Sequence, residues 1–416
     1  MNDIEKMIES LCPEGVEFRT LDELGYFYSG LTGKTKIHFE NGNCKYVTYM
    51  NIYKNPALNT NITDTVKITE GENQHKIEYG DILFTSSSET ADECGMSSVV
   101  NEKINEDIYL NSFCFGFRLN RVSDFSPDYL KHLFRSRNLR KQISLTASGV
   151  TRFNISKKKF SKIVIPVPPL EIQQKIVKVL DIFTELEATL EAELSLRKKQ
   201  YEYYRNNLLT FDNVDSHPLK KYLEELCPQG VPCKILPEIS VNLDRIRKPI
   251  SSSKRVKGEY PYYGASGIVD FVEHYIFDGD YLLISEDGAN LLARSTPIAF
   301  SISGKNWVNN HAHVIEFRND VTRKFVEYYI NSIDISKFIS GGAQPKLNQE
   351  NVNKIEIPFP SLEIQQMIVD ILDKFDKLVN DLTKGLPAEI NARRQQYEYY
   401  RNKLLTFKEC KNDFNV

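Results

Sequence analysis

Three short clusters hold the residues best suited to chemistry, and none completes a catalytic pattern. GLTGKT, residues 30–35, ends as a phosphate-binding loop ends, but the GxxxxGK[ST] spacing that cradles phosphate needs glycine at position 28 and finds Tyr28. No apolar strand leads into it and no helical stripe follows, so a nucleotide-dependent enzyme would rest on Lys34 alone. His311-Ala312-His313 has two imidazoles, yet no Cys, Asp or Glu partner set is evident nearby, and His313 reads as a structural histidine at a strand start. Glu286-Asp287 lacks flanking site logic, and no G-x-S-x-G elbow, HExxH or dinucleotide fingerprint appears. No catalytic residue, cofactor or metal is expected, and nothing in these residues asks for an enzyme.

The polar residues on loops suggest recognition instead. In the first half these are Thr48, Tyr49 and Asn51, then Ser86, Ser87, Ser88 and Glu89, then Thr151, Arg152 and Asn154. In the second they are Lys254 and Arg255, Tyr262, Tyr263 and Ser266, Asn290 and Arg294, Asn309, Asn310 and His311, and Gln344 and Lys346. Asn and Gln side chains match adenine edges, Arg and Lys match guanine, and Ser or Thr suit either. Such residues also fill ordinary turns. Charge distribution decides between the two readings. The formal net charge is −3, but residues 129–162 hold ten Lys or Arg and no acid, and residues 243–257 hold six against Asp244 alone. Residues 61–108 hold eleven acids and three lysines. Charge segregated in this way permits a basic face on an acidic chain, enough to attract phosphate.

The elements that position these loops are duplicated. QYEYYRN occurs at residues 200–206 and again at 396–402. Residues 165–186 match residues 357–378 at 14 of 22 positions, and residues 197–211 match 393–407 at 12 of 15. LCPEGV at Leu11 is echoed by LCPQGV at Leu226. Ile176, Leu180, Phe183, Leu186, Leu190, Leu194, Tyr201, Tyr204 and Leu208 form the seam of a long helix. Ile368, Leu372, Phe375, Leu378, Leu382, Leu386, Ile390, Tyr397, Tyr400 and Leu404 form a second, interrupted by Gly385-Leu386-Pro387. Two such seams bury each other most simply as an antiparallel pair.

Between the repeats lie two unlike mixed regions. Strands are expected at 45–50, 81–86 and 113–119, then a helix over 126–143; in the second region strands are expected at 281–285, 297–302 and 313–317, then a helix over 322–331. The reading is α+β: two α/β recognition domains separated by two long antiparallel coiled-coil helices in a pseudo-twofold repeat. Boundaries fall at 1–165 and 212–357 for the domains, and at 166–211 and 358–416 for the helical regions. No apolar run approaches the roughly 20 residues of a membrane span. Seven scattered cysteines without a CxxC pair suggest reduced thiols in a cytoplasm.

The helical blocks beginning LEIQQKIVKVLDIFTEL and LEIQQMIVDILDKFDKL, each ending in QYEYYRN, resemble the conserved regions of the specificity subunits of type I restriction–modification systems. LCPEGV, LCPQGV, GDILFTS at Gly80 and YGASGIVDF at Tyr263 are similar to that family as well. The resemblance implies that each recognition domain reads one half of a bipartite, asymmetric double-stranded DNA target. It implies that the paired helices dock two DNA adenine methyltransferase subunits and, through them, restriction and translocase subunits. The residues expected at that docking surface are Gln200, Tyr201, Tyr204 and Arg205, with Gln396, Tyr397, Tyr400 and Arg401. The rival reading, a coiled-coil scaffold joining two protein-binding domains, explains the repeats but not the basic stretches.

Overall fold

The computed structural model describes residues 2–341 and 344–410. The chain closes into two compact units, residues 1–190 with 390–416, and residues 191–389. The divisions fall inside the helical regions rather than at their ends.

In the first unit an antiparallel four-stranded sheet runs in the order Gly25–Ser29, Cys114–Leu119, Ile82–Thr85, Ser97–Val99. In the second the order is Ser240–Asn242, Ala312–Phe317, Tyr281–Ser285, Ala299–Ile302, again all antiparallel. Each unit adds a parallel pair, Cys44–Val47 with Ile108–Leu110 and Lys257–Gly264 with Lys305–Val308. Each is closed by a short antiparallel pair just before its long helix, Phe18–Thr20 with Val164–Pro166 and Cys233–Ile235 with Glu356–Pro358. The common plan expected beneath unlike sequences is therefore a common topology.

Some expected elements shift. The strand expected at 45–50 ends at Val47, because Thr48 accepts a hydrogen bond from the Asn51 amide and caps the helix Tyr49–Lys54. The helix expected over 126–143 divides into Pro127–Leu133 and Arg137–Ser144. In the second region the helix is longer than expected, Asp320–Ser332, and starts at the cap Asn319.

The first long helix is continuous over Leu170–Leu208. The second breaks into Leu362–Asn380 and Leu386–Leu404, with Pro387 in the first turn of the latter, where its missing amide costs nothing. Ile176 and Leu180 are fully buried, as are Ile368 and Leu372, against the core of their own unit. Two expected seam residues are exposed: Leu382 falls in the break, and Leu186 lies beyond the turns that reach a recognition-domain core. Within the first unit, residues 170–190 run antiparallel to the last helix, since Phe183 stacks on Tyr400 and Glu187 pairs with Arg394 nearer that helix's start. In the second unit Phe375 packs on Tyr201 and Tyr204. So the end of each repeat's helical region is buried in the unit that begins the other repeat's helix.

Two repeated residues acquire a reason. The first glutamine of each EIQQ is buried: Gln173 accepts from the Ser126 amide and donates to Asp124 and Pro168 carbonyls, and Gln365 accepts from the Thr322 hydroxyl and donates to the Pro360 carbonyl. Gly15 of LCPEGV has φ +115°, and a Cβ there would lie 2.7 Å from the Lys408 carbonyl oxygen, where Glu409 bridges Val16.

His132 joins three elements of the first unit, contacting Asp181 Oδ1 through Nε2 and the Tyr397 hydroxyl through Nδ1, both at 2.8 Å. Burial lowers its pKa below 6.5 against the opposing pull of Asp181. The imidazole is held neutral when folded and protonates more readily when unfolded, so its contribution is complete above the unfolded value of about 6.5 and is lost as pH falls below it. Denaturant titrations at about pH 7.5 and about pH 5.5 are expected to show lower stability at the acid end. His132→Gln is expected to shrink that difference, leaving the share from His217, whose pKa burial also lowers.

Candidate nucleic-acid interface

Each recognition domain gathers part of its predicted set around one cleft. In the first unit Tyr49, Ser87, Ser88, Glu89, Thr151 and Arg152 line a cleft of about 700 Å³. The strand Ser87–Ser88 lines it, and Asn154, on the neighbouring strand Phe153–Ile155, pairs with Ser87 through backbone and stays outside the lining. Arg152 Nε and Nη2 donate to the Ser87 hydroxyl at 3.1 and 2.8 Å, and its guanidinium lies over the Phe113 ring. Tyr49 donates to the Ser87 carbonyl at 2.9 Å. Tyr53, Glu93, Asn111 and Phe113 line the cleft too and were not anticipated. Phe113 is 56% exposed at the entry to a strand, a large apolar residue in a polar surround suited to stacking. Its signal was the Asn111-Ser112 turn before an apolar run.

Other predicted residues of this domain serve the fold. Thr48 is the helix cap, and Asn51 donates to the Asn59 carbonyl while its Oδ1 accepts from Asn55 and the Asn59 amide. Ser86 spends its backbone between Phe113 and Ile155. Lys34 is committed elsewhere, at 2.6 Å from the Lys67 carbonyl and 2.5 Å from Glu72, with its side chain 4% exposed. It is not free to reach a nucleotide.

In the second unit Lys254, Arg255, Tyr262, Asn309, Asn310 and His311 line a cleft of about 520 Å³. Tyr262 is buried and accepts from the Ile250 amide, and Arg255 lies 4.5 Å over its ring while donating to the Ile250 carbonyl. Lys254 and Asn310 are exposed, and His311 Nδ1 contacts Asp287 at 2.8 Å. Tyr263 packs toward Phe300, and Ser266 is exposed at the hairpin end. Asn290 orders its own loop through Ser295 and Thr296, Arg294 donates to the Ile333 carbonyl, Gln344 is exposed, and Lys346 pairs with Glu286 at 3.2 Å.

One sequence reading is corrected here. Acidic partners do surround His313: ligand atoms of Asp244, Glu286 and His313 lie within 4.8 Å of one another. Asp244 is distant in sequence, which hid it. The set is already satisfied: His313 contacts Asp244 at 2.6 Å and the Leu347 carbonyl at 2.8 Å, and Arg247 meets Asp244 at 3.2 Å and Glu286 at 2.7 Å. A guanidinium thus stands where a cation would. This network fixes the loop leading into residues 248–255.

The docking tyrosines predicted on the helices are used within their units, since Tyr201 and Tyr204 pack on Phe375, Tyr397 bonds His132 and Tyr400 stacks on Phe183. Tyr203 and Tyr399 are the exposed members, at 64% and 61%. Gln200 accepts from Arg197, and Gln396 from Arg393.

The family model described as "Type I restriction modification DNA specificity domain" matches residues 13–196 and 239–392. The chain belongs to the type I restriction–modification specificity subunits. A specificity subunit of Haemophilus influenzae is 38% identical over 195 residues, 46% of this chain and 50% of that protein. The chain thus spans half the length of that relative. The EcoR124I/EcoR124II specificity subunit of Escherichia coli is 34% identical over 273 residues, 59% of this chain and 63% of that one. A Mycoplasma pneumoniae specificity subunit is 32% identical over 262 residues, 61% of this chain and 90% of that one. The solved S subunit of M. genitalium superposes with TM-score 0.55 at 17% identity, over 94% of this chain and 96% of its own. A chain from a structure of type I complex assembly and conformational transition superposes with TM-score 0.62 at 16% identity, over 94% and 97%. Among the described residues of this specificity subunit no helix is long and apolar enough to cross a membrane, and all seven cysteines are free.

Arg247→Met is expected to strand two largely buried carboxylates and destabilise the second unit by about 3–5 kcal/mol. Urea unfolding followed by Trp307 fluorescence reads it, and an unchanged midpoint would refute the assigned role.

Proposed function

We propose that this specificity subunit is the DNA-reading, non-catalytic component of a cytoplasmic methyltransferase and endonuclease complex. Each recognition domain reads one half of a bipartite, asymmetric duplex target through the major groove. The helical regions dock two adenine methyltransferase subunits and, through them, restriction and translocase subunits. Adenine methylation, ATP-driven translocation and cleavage belong to those partners.

The observation that carries this reading is a pair of unlike polar clefts on two copies of one topology. Tyr49, Ser87, Ser88, Glu89, Thr151 and Arg152 line the first, and Lys254, Arg255, Tyr262, Asn309, Asn310 and His311 the second. One fold presenting two different sets of donors and acceptors suits two different half-sites. Side chains facing base edges supply the sequence choice, and the cationic stretches supply salt-sensitive affinity.

Co-expression with methyltransferase subunits and long-read detection of modified adenines is expected to return a split motif. Exchanging residues 17–150 for another recognition domain is expected to change one half of it and leave the other. Removing Glu187 to Leu190 shortens the continuous helix by about 6 Å at about 1.5 Å per residue. That is roughly two base pairs at about 3.4 Å each, so both half-sites are expected to persist with a smaller gap. Altered half-sites with the original gap would refute the role of the helix as a spacer.

A further inference from the structure

A second cleft in the first unit, about 620 Å³, is lined by Arg135, Arg137, Arg140, Lys141 and Arg401 around Ser144. None of the five cations has a carboxylate ion pair among the described residues. Arg135 donates to the Ile52, Tyr53 and Ser97 carbonyls, and Arg140 to the Asp92, Gly95 and Cys94 carbonyls. Carbonyls orient a guanidinium without neutralising it. Arg401 lies over the Tyr397 ring, and its buried Nε has no hydrogen-bond partner.

Two carboxylates reach the same cleft. Glu93 is engaged by Tyr53 and Thr90, and Asp92 meets Arg140 through its backbone. The cations therefore outnumber the acids, and the positive charge is concentrated rather than dispersed. Burial first, then the neighbouring guanidiniums of Arg140 and Arg401, bring Arg135 down to about 10. Like charges held together and partly dehydrated cost free energy that an incoming anion relieves.

Glu93 lines both this cleft and the one walled by Ser87 and Arg152, so the two are adjacent. We infer that the arginine cleft receives a backbone phosphate of the duplex whose bases face the adjoining cleft. Forked guanidiniums suit phosphate oxygens, and a phosphate lies at fixed reach from its own base. This rests on the DNA-reading function proposed above. The phosphate contact sets position and affinity without choosing sequence.

Arg137 and Lys141 are exposed, and removing their charge leaves the buried arginines in place. The test uses the full chain assembled with its methyltransferase subunits, a duplex bearing the methylated motif and a scrambled duplex. In the double variant Arg137→Gln with Lys141→Gln, binding to both duplexes is expected to weaken by the same factor. The slope of log affinity against log salt is expected to fall by about 2, near one per lost phosphate contact. The charge-preserving pair Arg137→Lys with Lys141→Arg is expected to keep the original slope. Unchanged slope and affinity in the glutamine variant would overturn the phosphate site while leaving the recognition reading intact. Loss of methyltransferase subunits with an unchanged slope would overturn it in favour of an acidic protein partner. Failure of the unmodified assembly to bind either duplex would instead remove the recognition reading itself.

Discussion

Gln173 and Gln365 are amides buried where the apolar face of a helix meets a recognition domain. A stripe of isoleucine and leucine alone, such as Ile172, Ile176 and Leu180, tolerates rotation and a slip of one turn at modest cost. An amide that accepts from the Ser126 amide and donates to two carbonyls tolerates neither, because each buried group left unpaired costs about 1–3 kcal/mol. Hydrophobic burial supplies the attraction and the glutamine supplies the register. The orientation of each domain relative to its own helix is set at that point.

The buried cation networks extend the same logic outward. Arg247 holds Asp244, Glu286 and the Ala312 carbonyl at the root of the basic loop in the second unit. In the first, Arg118 grips Asp81 with two hydrogen bonds of 2.8 Å, and Tyr28 adds a third to the same carboxylate. Polar loops that must hold a definite shape are anchored by charges that water cannot easily reach.

The long helices, the repeat and the strands 281–285 and 313–317 were legible because periodicity and identity are local properties of the sequence. The break before Pro387 was legible for the same reason. The helix at Tyr49–Lys54 was not, since KYVTYM alternates as a strand does and only the Thr48 cap turns it. Leu186 and Leu382 kept the seam's spacing yet are exposed, because burial depends on what stands opposite and spacing does not record that. At the clefts, residue type identified six of the ten residues lining the first and six of the nine lining the second, while Phe113 was read as part of a strand and Tyr53 was not singled out. The partners of His313 and the convergence of Arg401 with Arg135 join residues far apart in sequence, and only the fold brings them together.

Val16 donates to the Lys408 carbonyl and accepts from the Cys410 amide, so segments far apart in sequence meet edge to edge in the first unit. Leu404 and Leu405 belong to the core of the same unit, so a cut within residues 390–410 would unsettle a domain whose other residues end at position 190.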